Sequence, residues 1–374
     1  MENSKKTVVV GMSGGVDSSV TALLLKEQGY RVIGLFMKNW EEVNARGVCS
    51  SAEDYDDVAT TCAQLEIPFR TVNFVKEYQD RVFKTFLEEY RAGYTPNPDI
   101  LCNKEIKFKV FFDKAMELGA DFLATGHYCR TDGTKLIKGI DPNKDQSYFL
   151  NAIDGRVLKK VLFPIGHLLK RQVREIAAEN NLPTSDKKDS TGICFIGERN
   201  FTNFLSQYIP AKEGTFRTLE QKIVGRHRGV AYYTLGQRRH LGLGGPGERW
   251  YVVQKDIEKN IVYVERGPTH PAMYCDDLIA VDPSWVGVTA PSYPFKCKAK
   301  VRYRQKDQDC LVDKIPGSHK LKVRFTVPQR AIVPRQSIAF YQGDICLGGA
   351  SIEQPGKNYH DMGKKIAESA RLGS

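Results

Sequence analysis

The chain has 374 residues, 41% of them hydrophobic and 26% charged, the balance of a globular protein too long for one ordinary core and sized for two or three domains. Its 55 Lys+Arg against 44 Asp+Glu leave a formal charge of +11, which suits a polyanionic partner or a solvated basic surface. No apolar run reaches the roughly 18 residues of a membrane span, the short run before Gly11 is no signal peptide, and nine cysteines without a CxxC pair or framework spacing argue for free thiols in a reducing cytoplasm.

"TVVV" (Thr7–Val10) reads as a short buried strand and "SSVTALLLKEQG" as the helix after it, with Ser18 or Ser19 in the first turn and Gly29 at the C-terminal cap. Arg31–Met37 is a second apolar strand. Strands recur at "FRTVNF" and "DFLATGHY", with helical patterns at about 52–65, 78–92 and 108–118. This alternation predicts an α/β, Rossmann-like domain over residues 1–200, a parallel sheet with helices on both faces. Residues 201–275 mix one short helix with Gly-rich turns such as "LGLGGPGE" and read as a small central domain. Residues 276–374 read as short strands separated by Pro, Gly and Asp, which predicts a C-terminal β-barrel.

"VVVGMSGGVDSSV" sets Gly11, Met12, Ser13, Gly14, Gly15, Val16, Asp17 and Ser18 between the first strand and its helix. Backbone N–H groups there, backed by a helix N-terminus, make an anion cradle, and glycine permits the positive φ values it needs. The loop lacks the GK[ST] ending of a Walker loop and is not GxGxxG. SGGVDS resembles the pyrophosphate loop of the ATP-dependent adenylating superfamily, so ATP is the implied nucleotide. Asp17 reads either as a ligand to Mg2+ through water or as a helix cap. Met37, at the end of the second strand, reads equally as an adenine neighbour or a core methionine. Gly126 ends another strand where only a small residue lets a ribose approach, and His127 follows on the same rim.

"TPNPDILCN" then interrupts a helical region. Pro96 and Pro98 fix φ and bias the residues before them away from helix, so Asn97, Asp99 and Cys102 are expected on a stiffened, exposed loop. A free thiol is only a few per cent thiolate at neutral pH, and Lys104 or a helix N-terminus would raise that fraction. Asp99 is able to exchange a proton or bond a base edge, or it closes an Asx turn; Cys102 is a reactive thiol or a small buried hydrophobe. "DSTGICFIG" carries a second thiol, Cys194, open to the same two readings.

Taken together, SGGVDSS, TPNPDILCN, ATGHY, KDQSYFL and STGICFIG, followed by "YYTLGQRRHLGLGG", "RYRQ" and "LGGASI", resemble the tRNA-specific 2-thiouridylases, the MnmA/TrmU family, over nearly the whole chain. The resemblance implies a PP-loop domain of the adenine nucleotide alpha hydrolase type that adenylates O2 of the wobble uridine of tRNA. It implies that Cys194 carries a persulfide sulfur delivered by a sulfur-donor protein, that Cys102 is the second thiol, and that a Cys102–Cys194 disulfide results. Asp99 would act as acid or base, with Asn97, Pro98 and Asp99 around the target base. Lys144, Asp145, Gln146, Arg302, Tyr303 and Gln336, with His127, resemble tRNA-contacting positions. Neither an iron–sulfur cluster nor zinc is expected, and a monomer is the plain expectation. Arg335 departs from the family pattern, which carries Gly in a PGQ turn at that place.

"FKCKAKVRYRQ" alternates, placing Lys296, Lys298, Lys300, Arg302 and Arg304 on one face, and "KLKVRF" repeats the device with Lys320, Lys322 and Arg324. Two such strands would give a one-signed surface for a phosphate backbone, or a solubilising outer face. Two rival functions stay open: an amide- or lysidine-forming ligase, which needs the glycine loop but not both thiols, and a non-catalytic RNA-binding protein.

Overall fold

A computed structural model describes residues 3–41, 50–189, 201–287 and 289–366. Strand β1 (Thr7–Met12) enters helix α1 (Val16–Glu27) through Ser13–Gly15, and Gly29, at φ +84°, ends that helix as its position predicts. The chain continues through β2 (Arg31–Lys38), α2 (Ser50–Gln64) and β3 (Phe69–Asn73). Two long helical stretches follow. In the first, α3 (Val75–Tyr78) and α4 (Lys84–Arg91) are joined by a π-helical segment, Gln79–Phe83. In the second, α5 (Pro98–Cys102) and α6 (Phe111–Glu117) flank the π-helical Asn103–Val110. Short strands β4 (Phe122–Ala124), β5 (Cys129–Thr131), β6 (Leu136–Lys138) and β7 (Val161–Leu162) precede α7 (Lys170–Glu179) and α8 (Phe201–Ser206).

Strands β3-β2-β1-β4-β7 form one parallel sheet in that order. Val8, Val9 and Val10 are fully buried because helices cover both faces: Val8 and Val10 join a core with Val20, Val58 and Val173, while Val9 joins Leu35, Phe111 and Ala115 on the other side. The chain moves outward from β1 in one direction to β3, then restarts on the other side at β4. That reversal opens a crevice at the carboxyl ends of β1 and β4, where open α/β sheets bind ligands.

A four-stranded sheet follows in the order β10-β11-β8-β9, from β8 (Gly214–Arg217), β9 (Ile223–His227), β10 (Trp250–Asp256) and β11 (Ile261–Arg266). The Gly-rich turns expected here lie between two hairpins, β8–β9 and β10–β11, joined by the parallel pairing of β8 with β11.

Strands β12 (Tyr274–Trp285), β13 (Phe295–Lys300), β14 (Gln308–Lys314), β15 (Leu321–Arg330), β16 (Ser337–Gln342) and β17 (Ile345–Pro355) make the predicted barrel, closed by pairing of β12 with β17. Closure removes the exposed edges. The hairpin β5–β6 of the first domain extends this sheet, pairing Ile137 with Ile345 and Leu136 with Cys346. Main-chain pairing, the Lys138–Asp307 contact at 2.6 Å and the bond from Tyr148 Oη to Ser337 O at 2.8 Å hold the barrel against the crevice domain.

Candidate active site

The glycine loop has the geometry its sequence demands. Gly14 sits at φ +74°, and a Cβ there would lie 2.7 Å from the Asp54 carbonyl oxygen, so α2 closes directly over the loop. Ser18 Oγ donates to Gly15 O at 2.9 Å and accepts from Ser13 N at 3.2 Å, pinning the loop to the first turn of α1. The first N–H groups of a helix have no partner within it, so the turn faces the crevice as a donor set. Gly126 must be small for packing as well: a Cβ would stand 2.9 Å from Asp17 C and 3.0 Å from Ser18 N. It lets the first turn of α1 press on the chain just past β4.

A charge network that the sequence did not disclose surrounds this turn. Asp17 Oδ1 accepts from Tyr128 Oη and from Lys170 Nζ, both at 2.7 Å. Lys170 is 9% exposed and also reaches Asp189 Oδ1 at 2.9 Å. Asp189 in turn holds Lys144 at 2.5 Å and Arg174 at 2.6 Å. Partial burial alone would raise the Asp189 carboxyl; the Lys144 and Lys170 ammonium groups override it and hold the group well below the usual carboxylate range. Burial, then the Asp17 charge, drives the Tyr128 phenol far upward, so it stays a donor. Lys187 bonds Asp54 at 2.7 Å and Asp57 at 2.5 Å, tying the same segment to α2. One sequence cue was available: a lysine in the first turn of a helix opposes the helix dipole and calls for a carboxylate partner.

The stretch read as an exposed loop is a helix start. Asn97 is the N-cap, its Oδ1 accepting from Asp99 N at 3.1 Å, and Pro98 occupies the first turn, where its missing N–H is not needed. Cys102 is therefore not exposed. It is 1% accessible, in an aromatic cluster with Trp40, Tyr78, Phe86, Tyr90 and Phe204. Met37 packs against both this cluster and the core containing Val9. Cys194 lies outside the described residues. Its neighbours on either side do not: Asp189, five positions before, is bound to Lys170, and Phe201, seven positions after, packs on the cluster that contains Cys102.

The expected tRNA positions divide. Gln336 Nε2 donates to Thr95 O at 2.5 Å, and beside it Arg335 takes φ +68°, the conformation for which glycine is the usual residue. Arg335 reaches Glu89 at 3.7 Å and lies over the Tyr94 ring at 5.3 Å. A cavity of about 230 Å³ opens here between α5 and the barrel, lined by Asn97, Pro98, Lys104, Asn151, Arg335 and Gln336. Lys144 points to Asp189, and Gln146 Oε1 accepts from Tyr128 N at 2.9 Å. Asp145 is buried, accepting from Gly139 N and Ser147 N at 3.1 Å. His127 is also buried, 2.8 Å from Thr125 Oγ1, and burial followed by the Lys107 charge pushes its imidazole well below the ordinary value. A neutral enclosed ring offers a phosphate no charge. The Tyr303 ring lies tilted against Phe149, centroids 4.5 Å apart, and Arg302 donates to Arg330 O at 3.3 Å.

The one-signed barrel face is corrected. β13 ends at Lys300, and Arg302 and Arg304 belong to a turn in which Arg304 has φ +63°. Neighbouring segments supply acids that the strand's own sequence does not show: Asp309 3.6 Å from Lys298, Asp277 3.0 Å from Lys322, Glu353 2.7 Å from Lys320 and Asp313 3.9 Å from Arg324. Lys300 lies 3.5 Å from Asp145 and 3.7 Å from Asp307.

Comparison with known proteins adds three family matches in chain order: the tRNA methyl transferase HUP domain over residues 6–198, the tRNA methyl transferase PRC-barrel domain over 202–266, and the aminomethyltransferase beta-barrel domain over 275–352. The chain is 60% identical over 368 residues to the tRNA-specific 2-thiouridylase MnmA of Protochlamydia amoebophila, covering 97% of each chain. It is 56% identical over 355 residues to the protein of that name from Geobacillus thermodenitrificans, covering 94% of this chain and 95% of the other. With that of Staphylococcus aureus it shares 56% over 365 residues, 96% of this chain and 98% of the other. No helix among the described residues is long and apolar enough to cross a membrane.

Proposed function

This chain belongs to the tRNA-specific 2-thiouridylase family and is a tRNA sulfurtransferase, and we propose that it activates the wobble uridine with ATP and replaces O2 with sulfur carried on Cys194. ATP supplies the activation, since transfer of AMP to O2 makes that oxygen a leaving group. The chain's residues have separate tasks. Gly11–Ser18 and the first turn of α1 receive the phosphates, whose charge the Lys144–Lys170–Arg174 group complements. Asp17, which already accepts from Lys170 and Tyr128, would be the carboxylate to meet the nucleotide's magnesium. Asn97 and Pro98, which line the cavity beside Gln336, hold the flipped base with their neighbour Asp99, and Asp99 exchanges a proton with it.

Cys194 receives a sulfane sulfur from a donor protein. Its terminal sulfur attacks C2 and the C2–O2 bond breaks, the oxygen leaving with AMP; Cys102 then attacks the Cys194 sulfur and frees the outer sulfur to the base, leaving a Cys102–Cys194 disulfide for an external thiol to reduce. Burial of Cys102 among aromatic rings fits a resolving thiol, which is kept from solvent until its partner arrives.

One observation carries this reading. Asp189, five residues before Cys194, belongs to the ion-pair network beside the glycine loop, and Phe201, seven residues after it, packs on the cluster around Cys102. The test is thiolation of unmodified tRNA with ATP and a persulfide donor, read by mass analysis of nucleosides. Cys102→Ser and Cys194→Ser should each abolish 2-thiouridine while tRNA-dependent pyrophosphate release continues. Product formation in both variants would sink the sulfur-transfer reading and favour an amide-type ligase.

A further inference from the structure

Away from the crevice, β13 and β14 place two more thiols face to face. Cys297 and Cys310 are register partners across the antiparallel pair, and their sulfurs stand 3.6 Å apart. Cys310 is 5% exposed and belongs to the barrel core; Cys297 is half-buried at its rim. A shallow surface groove, lined in part by Lys298, Thr326, Tyr341 and Gln342, reaches both. Elsewhere among the described residues no two thiols contact each other in this way, and neither cysteine touches the proposed site.

We propose that Cys297 and Cys310 are an oxidisable dithiol that a small-molecule disulfide converts into a cross-strand staple. Cys297, the accessible sulfur, attacks one sulfur of the small disulfide and expels the other half as a thiol. Cys310 then attacks Cys297, expelling the second half. Two protein S–H bonds and one external S–S bond become one protein S–S bond and two small thiols, with protons and electrons balanced. The bond would join adjacent strands that are already paired, so the barrel needs no rearrangement. The second attack is the slower, because the contact with Cys297 and burial both raise the Cys310 thiol far above its ordinary range. A mixed disulfide on Cys297 therefore forms first and disappears.

The staple is independent of the sulfur-transfer chemistry. It fixes the hairpin whose β13 end leads into the turn with Arg302 and Tyr303, and it adds a second redox couple to any thiol count made on the enzyme.

Incubating the full-length chain with oxidised glutathione, alkylating the remaining thiols and mapping peptides tests this directly. A 297–310 cross-link is expected in most chains, preceded by glutathione on Cys297 and reversed by dithiothreitol. In Cys310→Ser the glutathione should stay on Cys297. Wild-type mapping decides the matter even if that variant folds poorly. Recovery of both cysteines as alkylated thiols, or a stable mixed disulfide on wild-type Cys297 with no cross-link, overturns the proposal. A 102–194 cross-link would be mapped as a separate species, so neither result depends on the other.

Discussion

The cations at the crevice and those on the barrel have similar partners but different geometry. Around Asp17 and Asp189, Lys170 and Arg174 from α7 and Lys144 from the segment before it crowd a half-buried space. On the barrel, Lys320 and Lys322 each meet one carboxylate from a neighbouring strand and remain open to water. The first arrangement concentrates positive charge where an anion's phosphates would lie; the second largely cancels itself. A pair in water contributes up to about 1 kcal/mol, whereas a charge stripped of its partner away from water costs several.

Lys170 gives the sharpest way to break this contrast. Lys170→Met leaves Asp17 and Asp189 facing each other without the ammonium between them. We expect kcat/KM for thiolation to fall by about a hundredfold or more, a loss of roughly 3 kcal/mol, with Lys170→Arg recovering part of it. Steady-state thiolation rates check this, and a change below threefold would make the crevice network no different from the barrel's.

Gly126→Ala tests the packing beneath the same turn. Its Cβ would lie 2.9–3.1 Å from the main chain of Asp17 and Ser18, and backbone cannot yield as a side-chain tip does. We expect a loss of about 1–3 kcal/mol in stability, the ordinary cost of overpacking. A rise in KM for ATP of about tenfold should accompany it. Chemical denaturation and ATP titration of the rate separate the two effects.

Asp189 carries a pH signature. Its folded-state pKa is depressed, so the stability it contributes is fully present above the unfolded value, about 3.9, and is lost as pH falls through the lower folded value. Asp189→Asn should therefore be less stable than wild type at pH 7, and the gap should be markedly smaller at about pH 2. Urea midpoints at the two pH values measure this. A gap independent of pH would remove the charge from the explanation.

These tests also mark where the sequence was legible. The glycine loop's geometry is legible because it sits in contiguous residues: strand, turn, helix start and the required backbone conformations. The burial of Cys102 is not legible, since two prolines suggest a stiffened loop whereas Pro98 opens a helix capped by Asn97. The Lys170 network escaped because its members are scattered from Asp17 to Asp189, and only the fold's crossover brings them together. The barrel lysines misled for the same reason in reverse. Alternation identifies a strand's face, but acids on the adjacent strands decide that face's net charge. Lys322→Gln should accordingly change tRNA affinity by less than threefold and the salt dependence by less than one counterion, as filter binding over a salt series would show.

Arg335 should give the smallest effect and the one most dependent on pH. Arg335→Gly relieves a residue held at φ +68°, worth about 1 kcal/mol, but removes the guanidinium from Glu89 and Tyr94. At neutral pH the two changes should nearly cancel. They need not cancel elsewhere. Burial already raises the Glu89 carboxyl, and Arg335 is what restrains the rise. A group with a raised folded-state pKa contributes stability below its unfolded value, about 4.3, and loses it as pH climbs through the folded value. Without Arg335 that folded value climbs further, so the variant should compare best with wild type near pH 4.5 and worst near pH 8. Urea midpoints that track wild type at both pH values would mean that Glu89 does not sense the guanidinium, leaving backbone strain as the whole consequence of having arginine in this turn.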